Sequence, residues 1–375
     1  MLIAIATGAA FLTGFILFLN PQKVNIAANR WLGMFMVTMG LALLEIVMFE
    51  HDIINNSPAL FEMVVLSRFL TAPFLYLAIS YFTNLDQRFK SRNLRHFLPY
   101  TVFLIYRIPF FITGKNFDLG SVEGPAIILL TVLKVALPLQ TIIYWILCMR
   151  KLVLHSKNLK QFSSDTEGTA LIWLRNFLLI LAIVLLVWLT LTFTNLRLIK
   201  EATPLIYLAA MFFLGYFGLQ QKQIFNYTAE RREELKEVIV SVIDPGHVRQ
   251  KRLTEERLPE LTEKLTELML TDKIYLENDL SLPVLAGRLN ATCNETSYLI
   301  NEKYGENFYS FINRYRVEEA KLLLLSDEYN KLNILGIAYQ SGFNSKTTFN
   351  SAFKKHTGLS PTMFVKQPAR QVAGI

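Results

Sequence analysis

Five ionisable side chains interrupt otherwise apolar stretches in the first half of the chain: Glu45, Glu62, Arg68, Arg107 and Lys134. Ionisable groups inside long apolar helices are costly, so they usually face other protein groups or a wet cavity. One interpretation is a ligand pocket, for which the candidate residues are Glu45, Arg68, Arg107 and Lys134. Among all five groups, three cations against two anions favour a negatively charged ligand. The alternative is a set of ion pairs that only fixes the helices together.

A second group of side chains, near the C-terminus, could hydrogen bond to nucleic acid bases. Amide, hydroxyl and ammonium groups can read the donor and acceptor pattern of base edges. This group comprises Ser345, Lys346, Thr347, Asn350 and Ser351. Lys354 and Lys355 follow on the same segment and are predicted to contact phosphate, which adds affinity without sequence information. The alternative is that all of them belong to the solvated surface of an ordinary helical bundle.

Long apolar segments must position the first group. A helix needs about 20 mostly apolar residues to cross a bilayer, and seven stretches qualify: 2–19, 31–49, 60–82, 97–113, 125–149, 171–194 and 203–224. Basic residues number ten in the odd-numbered loops and three in the even-numbered ones. Because basic loops stay cytoplasmic, we expect an outside N-terminus and a cytoplasmic C-terminal half. The first stretch has no basic residue ahead of it, which favours a retained helix over a cleaved signal peptide.

Composition excludes several classes of site. Only 18% of the residues are charged, against about 25% in ordinary globular proteins, and the deficit lies in the first half. The net charge of +8 suits anionic partners such as headgroups or nucleic acid. Two cysteines and five scattered histidines give neither a disulfide framework nor metal-ligand spacing. Since no catalytic constellation is present, we expect neither an enzyme nor a bound cofactor or metal.

Residues 226–281 predict a helical connector with two amphipathic segments, separated at Asp244-Pro245-Gly246. The first segment carries an apolar stripe beside a Glu-Arg-Arg-Glu-Glu run. The second repeats leucine at steps of three and four residues, at Leu258, Leu261, Leu265 and Leu268. That spacing is typical of a short coiled-coil seam, which would make a homodimer, or of a helix that packs on its own domain.

From Leu282 onward the pattern predicts short helices with polar breaks. A short helix, a tight turn and a second helix occur twice, at 284–303 and again at 333–356, with a long helix at 308–325 between them. Helix-turn-helix units place their second helix in the major groove of DNA. The layout therefore predicts two such units joined by a linker helix.

Two strings in this region resemble one known family. IAYQSGFNSKTTFNSAFKKHTGLSPTMF (337–364) is similar to the C-terminal signature of AraC/XylS-type transcriptional regulators, and 285–324 resembles their first helix-turn-helix and linker. The resemblance covers about 265–368. It implies RNA polymerase as a partner and base-facing positions in the first unit, which are Asn294, Ser297, Tyr298 and Asn301. Thr296 departs from the apolar residue usual there, and Glu295 adds negative charge, so the second unit is predicted to contribute more specificity.

The sequence therefore predicts an all-α chain, in which a seven-helix transmembrane bundle precedes an all-helical DNA-binding domain with two helix-turn-helix units. The expected domains are a sensor at 1–225, a connector at 226–281, a DNA-binding domain at 282–368 and a tail at 369–375. The leading hypothesis is a transcriptional regulator of the bacterial cytoplasmic membrane, similar to a membrane-bound subgroup of that family, whose partners are double-stranded DNA, the lipid bilayer and an unidentified small-molecule or membrane signal. A transporter or membrane enzyme with a regulatory tail is the alternative, and a passive anchor for a constitutive DNA binder is a third possibility.

Overall fold

The structure of the chain is a computed structural model. It describes all residues except 52–55, 86–88, 114–123, 166–168, 195, 226, 244–256, 327–331 and 367–375. The chain divides into two compact units. The first contains Met1–Val153 and Leu171–Ile224, and the second contains Leu154–Ala170 and Phe225–Ile375. The stretch Leu154–Ala170 therefore belongs with the C-terminal residues, and the predicted domain bounds stay predictions.

The first unit consists of apolar helices. Their bounds are α1 Leu2–Leu19, α2 Ile26–Glu50, α3 Pro58–Thr83, α4 Leu98–Thr113, α5 Gly124–Leu159, α6 Ile172–Phe193 and α7 Arg197–Leu219. The last turn of α5 belongs to the second unit. A 3₁₀ helix, Ser91–Phe97, precedes α4. Each predicted apolar stretch thus forms a helix, and α5 continues ten residues past its predicted end.

Six helices of the described residues are long and apolar enough to cross a membrane. They lie within α1, α2, α3, α5, α6 and α7. Helix α4, the fourth predicted span, has 16 residues and contains Pro109, so it rises only about 24 Å at 1.5 Å per residue. The structure therefore supports six of the seven predicted spans by length and composition, and a seventh span stays a prediction.

Helices α1 and α2 approach each other closely through glycines. A Cβ added to Gly33 would lie 2.7 Å from the carbonyl oxygen of Gly14, so only glycine fits at this crossing. Small residues that let helix backbones approach are typical of membrane helix interfaces, where dispersion contacts drive association. The end of α7 is joined to the start of α2 by buried amides, since Gln221 Nε2 donates to Asn29 Oδ1 at 2.6 Å and Asn25 Nδ2 donates to Gln221 Oε1 at 2.8 Å.

The second unit is built from short helices. Their bounds are α8 Ala229–Ile243, α9 Arg257–Leu270, α10 Leu282–Leu289, α11 Cys293–Tyr304, α12 Phe308–Leu325, α13 Ile334–Gln340, α14 Lys346–Thr357 and α15 Pro361–Lys366. A 3₁₀ turn, Ile274–Leu276, follows α9. Among the described residues no β-strand occurs, and a single isolated bridge joins Ser163 to Ser281. The fold is all-helical, as the sequence predicts.

Four phenylalanines form the centre of the C-terminal part. Phe343, Phe349, Phe353 and Phe364 pack ring to ring, with centroids 5.2 to 5.5 Å apart. The turn before α14 depends on Gly342, which has φ +85° and whose absent Cβ would lie 2.5 Å from the carbonyl oxygen of Tyr275. A side chain at this position would meet backbone as well as strain.

A buried arginine fixes the same turn. Arg316 of α12 is fully buried, donates from Nε to Tyr275 O at 2.7 Å and from Nη2 to Glu277 O at 2.8 Å, and lies over the Phe343 ring. Loss of hydration lowers its pKa from the ordinary value to about 10, so it stays charged at neutral pH. Its donors hold the carbonyl group of Tyr275 in the 3₁₀ turn and that of Glu277 just after it, and Glu277 O also accepts from the Leu280 N–H at 3.1 Å.

The leucine repeat of α9 faces its own unit. Leu261, Leu265 and Leu268 are buried, and α9 packs against α10, α11 and the 3₁₀ turn. Of the two interpretations of the repeat, the structure favours packing on the same domain. A homodimer stays a prediction and would need another surface. The Asp244-Pro245-Gly246 break and the 369–375 tail lie outside the described residues.

Candidate functional site

Two pairs of helices have the layout that the sequence predicts for helix-turn-helix units. In the first pair, α10 ends at Asn290 in the left-handed conformation and α11 begins with a capping box between Thr292 and Glu295. In the second pair, the Gly342 turn leads to α14, whose cap is the Ser345 hydroxyl accepting from the Thr348 N–H. Caps of this kind satisfy the first free N–H groups of a helix and so fix where it starts.

Helix α14 presents most of its predicted contact residues to solvent. Lys346, Thr347, Ser351 and Lys354 are exposed, and Asn350 is partly exposed. Neither Lys346 nor Lys354 has a carboxylate partner in the described part of the chain. Lys355 is also exposed and donates to Ser310 Oγ at 3.0 Å. This face therefore has donors and positive charge that are available to a ligand.

Ser345 has a different position from its helical neighbours. Its hydroxyl caps α14 and also donates to Thr348 Oγ1 at 3.1 Å. Because the cap uses its oxygen, we expect Ser345 to set the start of α14 rather than read a base.

Helix α11 presents fewer of its predicted residues. Asn301 is exposed and Tyr298 is partly exposed, but Ser297 is buried and lies 3.4 Å from the Asn301 amide nitrogen. Asn294 is partly exposed, and its amide donates to Glu237 Oε2 at 2.7 Å. The four predicted positions thus differ, and three of them, Asn294, Ser297 and Asn301, are hydrogen-bonded to groups of the same unit.

Thr296 and Glu295, the two residues of α11 that depart from the family pattern, both have partners in the structure. Thr296 is fully buried, and its hydroxyl donates to Thr292 O at 2.9 Å, so its polar group is satisfied inside the helix. Glu295 closes the capping box and pairs with Arg257 Nη1 at 2.7 Å. Its negative charge is therefore partly balanced by a cation of α9.

An acidic helix covers the start of α11. The backbone N–H of Cys293 donates to Glu234 Oε2 of α8 at 3.1 Å, beside the Asn294 contact with Glu237. Leu235 and Val238 of α8 are fully buried. Carboxylates are stabilised at helix N-termini by the free N–H groups and the helix dipole. The sequence contains no sign of this contact, because helical periodicity does not show what the charged face of a helix meets.

The protonation of this contact is shifted in both partners. Burial by itself raises the pKa of Glu234, but hydrogen bonds from Cys293 and the charge of Arg231 outweigh it and lower that pKa below its ordinary value. Burial, with the hydrogen bond and charge of Glu234, raises the pKa of the Cys293 thiol to about 12. At neutral pH Glu234 is therefore an anion and Cys293 a thiol.

The stretch Leu154–Ala170 contacts the helical pairs within the second unit. The Leu282 N–H donates to Phe162 O at 2.9 Å, the Tyr309 N–H to Lys160 O at 3.0 Å, and Asn313 Nδ2 to Ser164 O at 3.1 Å. The Thr348 hydroxyl donates to Asp165 Oδ1 at 3.2 Å. This segment therefore reaches the first turn of α14, and nothing in its sequence indicated such a contact.

Of the five ionisable residues that the sequence predicts inside the apolar spans, the four whose side chains are described form two ion pairs. Arg68 Nε lies 2.6 Å from Glu45 Oε2, and Arg107 Nη2 lies 2.8 Å from Glu62 Oε1. Arg107 also lies over the Phe110 ring. Within this described set the charge is balanced, so the excess cation on which the preference for a negatively charged ligand depends is Lys134, and that preference stays a prediction. The side chain of Lys134 lies outside the described residues.

A cavity of about 180 Å³ lies next to the first pair. Arg68 lines it together with Thr71, Tyr207 and a mostly apolar set that includes Phe35 and Trp188. Of the predicted pocket residues whose side chains are described, Arg68 alone lines this cavity. The space is comparable to one that holds a single small apolar molecule.

Comparison with known proteins gives a partial match. Residues 285–367 match a family model described as a helix-turn-helix domain, of the AraC type. Uncharacterized HTH-type transcriptional regulators of Staphylococcus aureus strains COL and N315 are each 33% identical over 92 residues, which is 24% of this chain and 12% of theirs. The chain thus covers about an eighth of the length of these relatives.

A solved structure covers the same region. The C-terminal domain of AraT, a response regulator from Geobacillus stearothermophilus, is 30% identical over 29% of this chain and 84% of its own, with a TM-score of 0.26. The family match supports a DNA-binding domain at residues 285–367.

Proposed function

We propose that this protein is a membrane-anchored transcriptional regulator that binds specific sequences of double-stranded DNA. The observation that carries the proposal is the presence, in one chain, of a helix-turn-helix domain at 285–367 and six helices suited to a membrane. Mapping of the DNA bound in cells by the full chain tests it. Discrete sites that disappear in Lys346→Ala/Asn350→Ala support the proposal, and a uniform distribution contradicts it.

Helix α14 is the main reader of base sequence in this proposal, and α11 contributes less. The exposed ammonium and hydroxyl groups of α14 support the ranking, whereas three of the four predicted positions on α11 are hydrogen-bonded within the unit itself. Lys354 and Lys355 contact phosphates. If alanine at Asn294 and Tyr298 reduces sequence discrimination more than alanine at Lys346 and Asn350, the ranking is wrong.

The proposed location is the cytoplasmic membrane of a bacterium, crossed several times, with the N-terminus outside and the helix-turn-helix domain in the cytoplasm. The asymmetry of basic loop residues supports this orientation, and a domain that binds DNA requires it. Single reporter cysteines test the topology in Cys148→Ala/Cys293→Ala cells. A cysteine near Asn56 should react with an impermeant maleimide, and one near Asn93 should not.

The proposed coupling between signal and DNA runs through two contacts of the second unit. Helix α8 covers the start of α11, and the segment after α5 contacts the start of α14 through Asp165. Helix α5 continues without a break from residues of the first unit into residues of the second. A signal that favours one arrangement of the first unit could therefore change both contacts, provided that it binds the two states with different affinity.

The cavity beside Arg68 is the proposed place for the signal, with Glu45 and Arg107 as residues that hold its wall. Alanine at Arg68 tests this assignment, because full response to the natural signal in that variant would remove it. Dimerisation and contact with RNA polymerase complete the proposal, and co-purification of a differently tagged second copy, or of polymerase, tests each of them.

A transporter or membrane enzyme with a regulatory tail is the second candidate. Matching short or broken half-helices are the usual sign of a transport site, and the sequence shows no Gly/Pro breaks in matching positions of the predicted spans. Solute uptake by vesicles containing the protein would favour this candidate. A passive anchor is the third, and regulation that survives replacement of residues 1–153 and 171–224 by unrelated membrane segments, with Leu154–Ala170 kept, would favour it.

A further inference from the structure

A small basic pocket lies at one end of the first unit, separate from the Arg68 cavity. Its volume is about 90 Å³, and three parts of the chain line it: the end of α3 with Tyr76, the 3₁₀ helix with Arg92, Arg95 and His96, and α5 with Lys151. The residues come from two α-helices and from the 3₁₀ helix, which are separated in the sequence. Their convergence is thus a property of the fold and not of one basic run in the sequence.

The described residues that line the pocket include several cations and no Asp or Glu. Arg92 and Arg95 are exposed and make no ion pair with any described residue. Lys151 Nζ lies 5.2 Å from the centroid of the Tyr76 ring. His96 is hydrogen-bonded to Tyr144 at 2.8 Å. Desolvation, followed by the charges of Arg95 and Lys151, lowers the pKa of His96. The electrostatic potential in this pocket is therefore positive.

The pocket has the size and chemistry for one tetrahedral anion. A volume of 90 Å³ corresponds to about three water molecules at roughly 30 Å³ each, which is enough for a phosphate group but not for a nucleotide. Guanidinium groups match phosphate oxygens in pairs, and an ammonium adds a point charge. Arg150, the neighbour of Lys151, is exposed but does not line the pocket. Position in the fold, and not basic charge alone, therefore decides which residues line it.

We propose that Arg92, Arg95 and Lys151 bind a phosphate group, supplied by an anionic phospholipid headgroup or by free phosphate. The lipid source rests on the proposed membrane topology. In that topology the third and fifth predicted loops, which contain Arg92, Arg95 and Lys151, are cytoplasmic, and the pocket lies at headgroup level. The anion chemistry itself does not depend on the topology. A bound headgroup would tie α3 to α5, the helix that leads into the DNA-binding unit.

The test uses the purified full chain in nanodiscs of phosphatidylcholine, with either phosphatidylglycerol in the bilayer or inorganic phosphate in solution. Binding is followed by native mass spectrometry for lipid and by thermal unfolding for phosphate. Loss of all three charges in Arg92→Gln/Arg95→Gln/Lys151→Gln should weaken binding by about fivefold per charge, or on the order of 100-fold in total. Arg150→Gln is the matched control and should bind as the unaltered chain does.

The outcomes separate the two sources. Retention of phosphatidylglycerol without an effect of phosphate assigns a headgroup site, and stabilisation by phosphate in phosphatidylcholine nanodiscs assigns a free-anion site. No binding of either, or an equal loss in the triple variant and Arg150→Gln, overturns the proposal. If the triple variant is not monodisperse, Arg95→Gln replaces it, with an expected fivefold loss. DNA affinity of the same variants in detergent reports separately on the proposed function and should not change.

Discussion

Release of α8 from α11 should increase the affinity for DNA. The perturbation is Glu234→Gln/Glu237→Gln, which removes the two carboxylates that accept from the Cys293 N–H and the Asn294 amide. Hydrogen bonds to charged groups contribute about 1.5–3 kcal/mol when buried. Glu237 is exposed and Glu234 is partly buried, so solvent screening reduces the expected total to roughly 1–2 kcal/mol. If DNA binds only the uncovered state, its apparent affinity rises about 5- to 30-fold.

The assay is fluorescence anisotropy with an operator taken from the sites mapped in cells, at one fixed salt concentration, because ionic strength changes all such affinities. The control is Glu230→Gln/Glu233→Gln, which removes the same charge from the same helix. Glu233 pairs with Lys236 and makes no described contact with α11. Equal gains in both double variants would assign the effect to net charge. Unchanged or weaker binding in Glu234→Gln/Glu237→Gln would refute the reasoning that α8 is inhibitory.

Three further predictions follow from the second unit. Gly342→Ala should destabilise the second unit by on the order of 3–5 kcal/mol, through backbone clash and strain. Gly358→Ala, at φ +77° with open space around the added Cβ, should cost about 1 kcal/mol. Thermal unfolding measures both losses of stability, and similar losses would contradict the clash at Gly342. Lys354→Ala should reduce the slope of log K against log salt by about 0.9, and an unchanged slope would exclude a phosphate contact. Cys293 should resist iodoacetamide at pH 8, because a pKa of about 12 leaves a thiolate fraction on the order of 10⁻⁴, against about a quarter for an ordinary thiol. Peptide mapping should show faster labelling of Cys293 in Glu234→Gln/Glu237→Gln.

The elements themselves could be predicted from sequence because their signals are local. An apolar run of sufficient length predicts a membrane helix whatever surrounds it, and the observed helix α1 has the predicted bounds, Leu2–Leu19. The turn at Gly342 was also predictable, since the left-handed conformation favours glycine. In the same way Asn333 caps α13 through the Gly336 N–H.

The partners of each surface were not predictable, because amphipathic periodicity gives an apolar face without saying what covers it. Leu265 belongs to a repeat that suits a dimer seam and a domain core equally well, and only the fold decides between them. Ser297 takes a base-facing position in the family pattern but is buried here. Asp165, in a loop with no motif, contacts Thr348 through tertiary structure alone.

The contact between α8 and α11 also determines the direction of regulation under the proposed function. The free N–H groups at the start of a helix donate to an anion, and at α11 the Cys293 N–H donates to the Glu234 carboxylate. We infer that a DNA phosphate would take the same position at Cys293. The glutamate and the phosphate therefore compete. Coupling free energies are reciprocal, so a signal that stabilises the α8 contact must weaken DNA binding, and bound DNA must weaken the α8 contact by the same factor. Operator DNA should consequently accelerate Cys293 labelling in the full chain, and protection that is unchanged by DNA would show that the two anions do not share the site.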